Sequence, residues 1–145
     1  YFNAHKNKYV WPPSANAIIF SCTNKAVADN IMMELKENKE WRSIASKYSS
    51  AVQADSGRFE LSQIPVLDRS HFSPGMITET LINKNDGTAT FVKIINLYAG
   101  GESRTFPDAK GLVINDYQNE LEAAWIAQLK NKYPLKLNQK VLDSL

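Results

Sequence analysis

Val113, Tyr117, Leu121, Trp125 and Leu129 recur at a spacing of four between Pro107 and Tyr133-Pro134. That period belongs to one long helix with an apolar stripe. Pro107 and Asp108 suit its first turn, where a missing N–H costs nothing and an acid meets the positive dipole end. Lys130 and Lys132 suit its negative end. Immediately upstream the pattern changes to a short run dense in β-branched and aromatic residues. Thr88 to Tyr98 is built on Phe91, Val92, Ile94, Ile95 and Leu97, the pattern of a buried strand. A chain that switches pattern in this way combines a sheet with a helix that must find an apolar surface. Two surfaces offer themselves: the sheet domain of the same chain, or a partner or further segment.

The rest of the chain alternates these signals. Residues 1–10 are polar and aromatic and read as the end of an upstream helix, stopped by Trp11-Pro12-Pro13-Ser14. Ala15 to Ser21 reads as a strand, with Ala17 and Ile19 on one face and Ile18 and Phe20 on the other. Thr23 or Asn24 caps a helix carrying Ala28, Ile31, Met32 and Leu35, with Asn38 as its stop; Trp41, Ile44, Ala45 and Tyr48 form a second, shorter one. Ser49–Ser56 reads as a polar loop, and Phe59 and Leu61 alternate as in a strand. A short helix is expected around Leu67–Phe72, then a strand over Gly75–Ile82 and a turn at Asn83-Lys84-Asn85-Asp86-Gly87. Past Tyr133, Asn138 caps an expected last short helix with Val141, Leu142 and Leu145. The order predicts an α+β fold, a small antiparallel or mixed sheet with helices followed by a long C-terminal helix.

Composition narrows function by exclusion. The 145 residues carry 17 basic and 15 acidic side chains, a net charge of +2, with no dense basic run, so no nucleic-acid footprint is present. No apolar run can cross a bilayer, so the chain is not expected to be transmembrane. Its single cysteine, Cys22, excludes an internal disulfide and multi-cysteine metal sites and reads as a quiet thiol. His5 and His71 stand apart, and Asp55, Glu60 and Asp68 form no recognisable acid–base pair. Neither a cofactor nor a metal is expected. The chain lacks a starting Met and a signal peptide, and reads as a piece of a longer protein.

The order of these pieces resembles the parvulin, or PpiC-type, peptidyl-prolyl isomerase domain, of FKBP-like fold. Lys39-Glu40-Trp41-Arg42-Ser43-Ile44-Ala45-Ser46-Lys47-Tyr48-Ser49 is similar to the family's second helix. Ser56-Gly57-Arg58-Phe59 resembles its Gly-Gly-Asp-Leu-Gly turn and strand, and Pro74-Gly75-Met76-Ile77-Thr78 its Pro-Gly-Glu-Ile-Ser strand. Thr90-Phe91-Val92-Lys93-Ile94-Ile95 takes the place of the closing strand. The resemblance implies three parts: the end of an upstream helix and linker at 1–14, a parvulin-like domain at 15–98, and at 99–145 a helical segment belonging to a chaperone region. It also implies unfolded or proline-containing polypeptides as ligands, upstream domains of the same chain as partners, and a periplasmic or cell-envelope location. The C-terminal helix is a further expected route of self-association.

Departures from the family weigh against catalysis. The two family histidines correspond to Ala17 and Phe91, the acidic or cysteine position to Ser50 or Ala51, and the Asp and second Gly after Gly57 to Arg58 and Glu60. No catalytic residue is therefore assigned. Phe59, Leu67 and Phe72 are the candidates for an apolar peptide pocket, against the plainer reading that each is core. The resulting expectation is a polypeptide-binding domain of a folding factor with little or no isomerase activity. An isomerase with a non-standard site is the alternative.

Overall fold

The computed structural model describes residues 1–134. The chain divides into two compact units, Val10–Glu102 and a second made of Tyr1–Tyr9 with the chain from Ser103 onward. It is α+β, with a four-stranded antiparallel sheet and three α-helices among the described residues.

In the first unit the strands are β1 (Ser14–Cys22), β2 (Val52–Glu60), β3 (Leu81–Ile82) and β4 (Ala89–Tyr98), ordered β2-β1-β4-β3. The two runs read as central strands are neighbours, with Phe20 opposite Phe91 and Ala17 opposite Ile94. The register shifts between Asn16 and Ala17, leaving Ile95 as the extra residue of a bulge. Two helices follow β1: α1 (Lys25–Lys36) and α2 (Trp41–Lys47). Asn24 caps α1 by accepting from the Val27 N–H at 3.0 Å, and Asn38 ends it with a left-handed φ of 59°. The Glu40 carboxylate caps α2 by accepting from the Ser43 N–H at 2.9 Å.

Both faces of the sheet are covered. On one, Ile18, Phe20, Cys22, Ala89 and Phe91 pack with Ala28, Ile31 and Leu35 of α1 and Ile44 of α2. On the other, Ala15, Ala17, Val92 and Ile94 pack beneath Ile64, with Phe59, Val66, Phe72 and Met76 around them. Period two along β1 and β4 is what divides the side chains between these two cores.

Several expectations need correction. The Ser49–Ser56 loop is mostly strand, because β2 starts at Val52. As an edge strand it carries exposed Gln53, Asp55 and Ser56, so no apolar alternation announces it. No helix forms at Leu67–Phe72, and the Gly75–Ile82 strand shrinks to Leu81–Ile82. Between them the chain still runs beside β4: the Gly75 N–H donates to the Ile94 carbonyl at 2.8 Å and Ile77 bridges Lys93. Phe2–Ala4 and Lys6–Lys8 are single 3-10 turns rather than a helix end.

In the second unit α3 spans Phe106–Lys132, roughly 40 Å at 1.5 Å per residue. Thr105 and Asp108 form a reciprocal capping box at its start, with Pro107 in the first turn. Tyr9, Ala109 and Val113 form a small core with Tyr1 and Phe2. The Tyr9 hydroxyl donates to Asp116 Oδ2 at 3.0 Å; burial and that carboxylate push its pKa up to about 12. Of the stripe read from the sequence, only Val113 is buried; Tyr117, Leu121, Trp125 and Leu129 are exposed. The expected short helix with Val141, Leu142 and Leu145 lies outside the described residues.

Candidate functional site

The resemblance seats its first histidine at Ala17, in the middle of β1. Ala17 is 2% exposed, opposite Gly57 on β2 and Ile94 on β4. It packs with Ala15, Ile64, Val92 and Ile94, and Phe59, Phe72 and Met76 lie against them. Phe91 lies on the other face of the sheet. It is fully buried and stacked on Phe20, with ring centroids 4.9 Å apart and planes 11° from parallel. The two positions are therefore not brought together, and the β4 residue that shares Ala17's face and register is Ile94.

Phe59, Leu67 and Phe72 separate as well. Phe59 and Phe72 pack in the Ala17 cluster. Leu67 is 81% exposed, on the rim of a cavity of about 220 Å³ lined also by Val66, Asp68, His71, Met76 and Leu81. Phe72 lines a different, shallow groove with Leu61, Arg69 and Leu97. Ser50 and Ala51 line an open bowl with Ser21, Thr23, Thr88 and Thr90. Cys22 borders that bowl but is buried; desolvation raises its pKa to about 11 and keeps it a neutral thiol.

His71 has neighbours that its sequence position hides. Its Nδ1 lies 2.6 Å from Ser70 Oγ and 3.3 Å from Asp68 Oδ2, and the Ser70 hydroxyl donates to Asp68 Oδ1 at 2.6 Å. The Ser70 hydroxyl and amide hold the Asp68 pKa down to about 2. Ser, His and Asp are thus adjacent, but both contacts fall on the same imidazole nitrogen. A nucleophile relay needs the base to face the serine with one nitrogen and the acid with the other. The arrangement is an exposed turn closed by its own side chains.

Arg58, where the family resemblance expects an acid, has a structural task. Its guanidinium stacks between Trp11 and Tyr98, 4.7 and 4.1 Å from their ring centroids. Nε donates to Ser14 Oγ at 2.9 Å and Nη1 to Glu102 at 2.7 Å. Nη2 is buried with no hydrogen-bond partner among the described residues. The planar fork suits this role, since it can stack and donate at once. Sequence reading missed this clamp, although Arg58 flanked by Gly57 and Phe59 in an alternating run was its visible trace.

Among the described residues no group of three or more His, Cys, Asp and Glu side chains could hold a metal ion, and no helix is long and apolar enough to cross a membrane. No family model matches the chain, and no curated protein or solved structure matches it.

Proposed function

We propose that the chain is a polypeptide-binding, parvulin-like domain of a cell-envelope protein-folding factor, with little or no isomerase activity of its own. Rotating an Xaa-Pro bond means crossing a barrier of about 18–20 kcal/mol, while cis and trans differ by only about 0.5–1 kcal/mol. A catalyst holds the proline in an apolar pocket and places polar groups where the amide loses resonance. Groups that stabilise the twisted amide raise the rate; groups that hold the chain equally in all states only bind it.

The observation that carries this reading is the apolar packing of Ala17. Where the resemblance puts a histidine, the chain has a methyl group, 2% exposed, packed with Ile64, Val92 and Ile94. Losing about 3–4 kcal/mol of transition-state preference slows a reaction by some hundredfold or more. Binding need not suffer, because backbone pairing and apolar contact do not require those groups. The order of elements between Ser14 and Tyr98, strand–helix–helix–strand–strand–strand, is the one expected from the resemblance except for the short helix around Leu67–Phe72, which does not form.

The alternative is an isomerase with a non-standard site. The cavity beside Leu67 and Met76, with Asp68 and His71 on its wall, is the place such a site would occupy. Binding and catalysis are separable by experiment. A permanently unfolded polypeptide, reduced and carboxymethylated, should bind the chain and the same polypeptide in its folded form should not. Equal affinity for both forms, or for neither, would contradict the proposal.

A further inference from the structure

β2 is an edge strand with a free outer row. The Leu61 N–H donates to the Pro13 carbonyl and the Thr23 N–H to the Ala51 carbonyl, in one continuous register with β1. Antiparallel pairing alternates, so the odd-numbered residues of β2 bond to β1 and the even-numbered ones face outward. The Val52 N–H is taken by the Tyr48 carbonyl at 2.9 Å. Among the described residues nothing hydrogen-bonds the outward amides and carbonyls of Ala54, Ser56 and Arg58. The strand carries charge at Asp55, Arg58 and Glu60 but has no proline and no bulge against β1, two of the devices that block an added strand.

A concavity of about 370 Å³ opens beside that row, lined by Ile18, Trp41, Arg42, Ser56, Gly57 and Ile95 among others. One wall is cationic. Arg42 stacks on the Trp41 ring at 4.5 Å, and its side chain is 72% exposed. Its ion pair with Glu40 is long, 3.5 Å, because the other oxygen of Glu40 caps α2.

We propose that the outer edge of β2 receives an extended polypeptide segment as an added strand, paired to Ala54, Ser56 and Arg58, with an acidic side chain of that segment set against Arg42 in the adjoining concavity. This rests on the polypeptide-binding reading and names its site and its ligand chemistry. Unpaired strand groups select extended backbone whatever its sequence, and the concavity adds a preference for one side chain. Charge complementarity identifies the occupant: Arg42 is left half-satisfied by its own helix, and a carboxylate completes it.

The test uses a fluorescent peptide of about ten residues, alternating Val and Thr with a central Asp, and measures anisotropy with the whole chain. Two further peptides carry N-methyl groups on alternate amides, one for each parity. Edge addition requires that one parity lose affinity by about tenfold or more while the other keeps it. Ser56→Pro should weaken binding similarly with an unchanged circular dichroism spectrum, and Arg42→Glu should weaken the Asp peptide more than an Asn peptide. The peptide arm stands even where Ser56→Pro fails to fold. Equal binding of both methylated peptides, with the unfolded polypeptide still bound, would overturn edge addition and leave the polypeptide-binding reading intact. Binding of neither probe would overturn both. A dimer abolished by Ser56→Pro would also overturn the proposal, because the edge would then belong to a second copy.

Discussion

Replacing Phe91 with histidine separates a core position from a site position. Phe91 is fully buried and stacked on Phe20. The change removes a stacked pair worth about 1 kcal/mol and places an unpaired ring nitrogen in an apolar core, at about 1–3 kcal/mol. Reduced apolar burial adds about 1 kcal/mol. The expected loss is therefore about 3–5 kcal/mol, a large part of the 5–15 kcal/mol that holds a typical domain. Phe91→Leu, which keeps the site apolar, should lose only about 1–2 kcal/mol. Urea titration followed by Trp11 and Trp41 fluorescence, in a Trp125→Phe background, reads the difference. At a slope of about 1–3 kcal/mol per molar urea, the histidine variant's midpoint should fall by about 2 M. A pH signature comes with it. Burial depresses the folded-state pKa of a histidine below its unfolded value of about 6.5. The unfolded chain then binds the proton more readily, so the penalty deepens as pH falls below about 6.5. A loss under about 1 kcal/mol, flat with pH, would show that position 91 faces solvent or a polar site and would refute the core assignment.

Glu34 accepts from Lys47 Nζ at 2.6 Å and from the Tyr48 hydroxyl at 2.8 Å, bonds that lower its pKa from 4.5 to about 2. Its contribution is present above pH 4.5 and lost as pH falls toward about 2, so thermal melts of Glu34→Gln should differ from the parent at neutral pH and converge with it in acid. Gly100 has φ +96°, and a Cβ there would lie 2.8 Å from the Pro12 carbonyl carbon; Gly100→Ala should destabilise by about 2 kcal/mol or more in urea titration. Trp125 is 62% exposed on α3. Sedimentation should show the chain self-associating, and Trp125→Glu should shift it toward monomer.

The strongly periodic segments were legible from sequence. β1, α1, α2, β4 and α3 lie within a few residues of where spacing and caps put them, because each buries one face or is bounded by a proline, an Asn24-type cap or a turn. What was hidden depends on tertiary partners. β2 looked like a loop because an edge strand exposes half of its residues and Gly57 sits within it. The covering segment 61–76 has no regular period; Ile64 is fully buried by position rather than by pattern. The candidate site was less legible. Nothing local indicates that Ala17 and Phe91 end on opposite faces, which follows from the register of β1 against β4 and the bulge between them. The outward row of β2 is a property of strand order, and strand order is not written in any one segment.

The central claim is that the chain holds polypeptide without turning its prolyl bonds. The most direct measurement is cis-to-trans relaxation of Ala-Xaa-Pro-Phe peptides, with the chain in excess and an intact parvulin as control. The relaxation should keep its uncatalysed time, tens to hundreds of seconds at 25 °C. A rate comparable to that of the intact parvulin would contradict the account and return the chain to the isomerases.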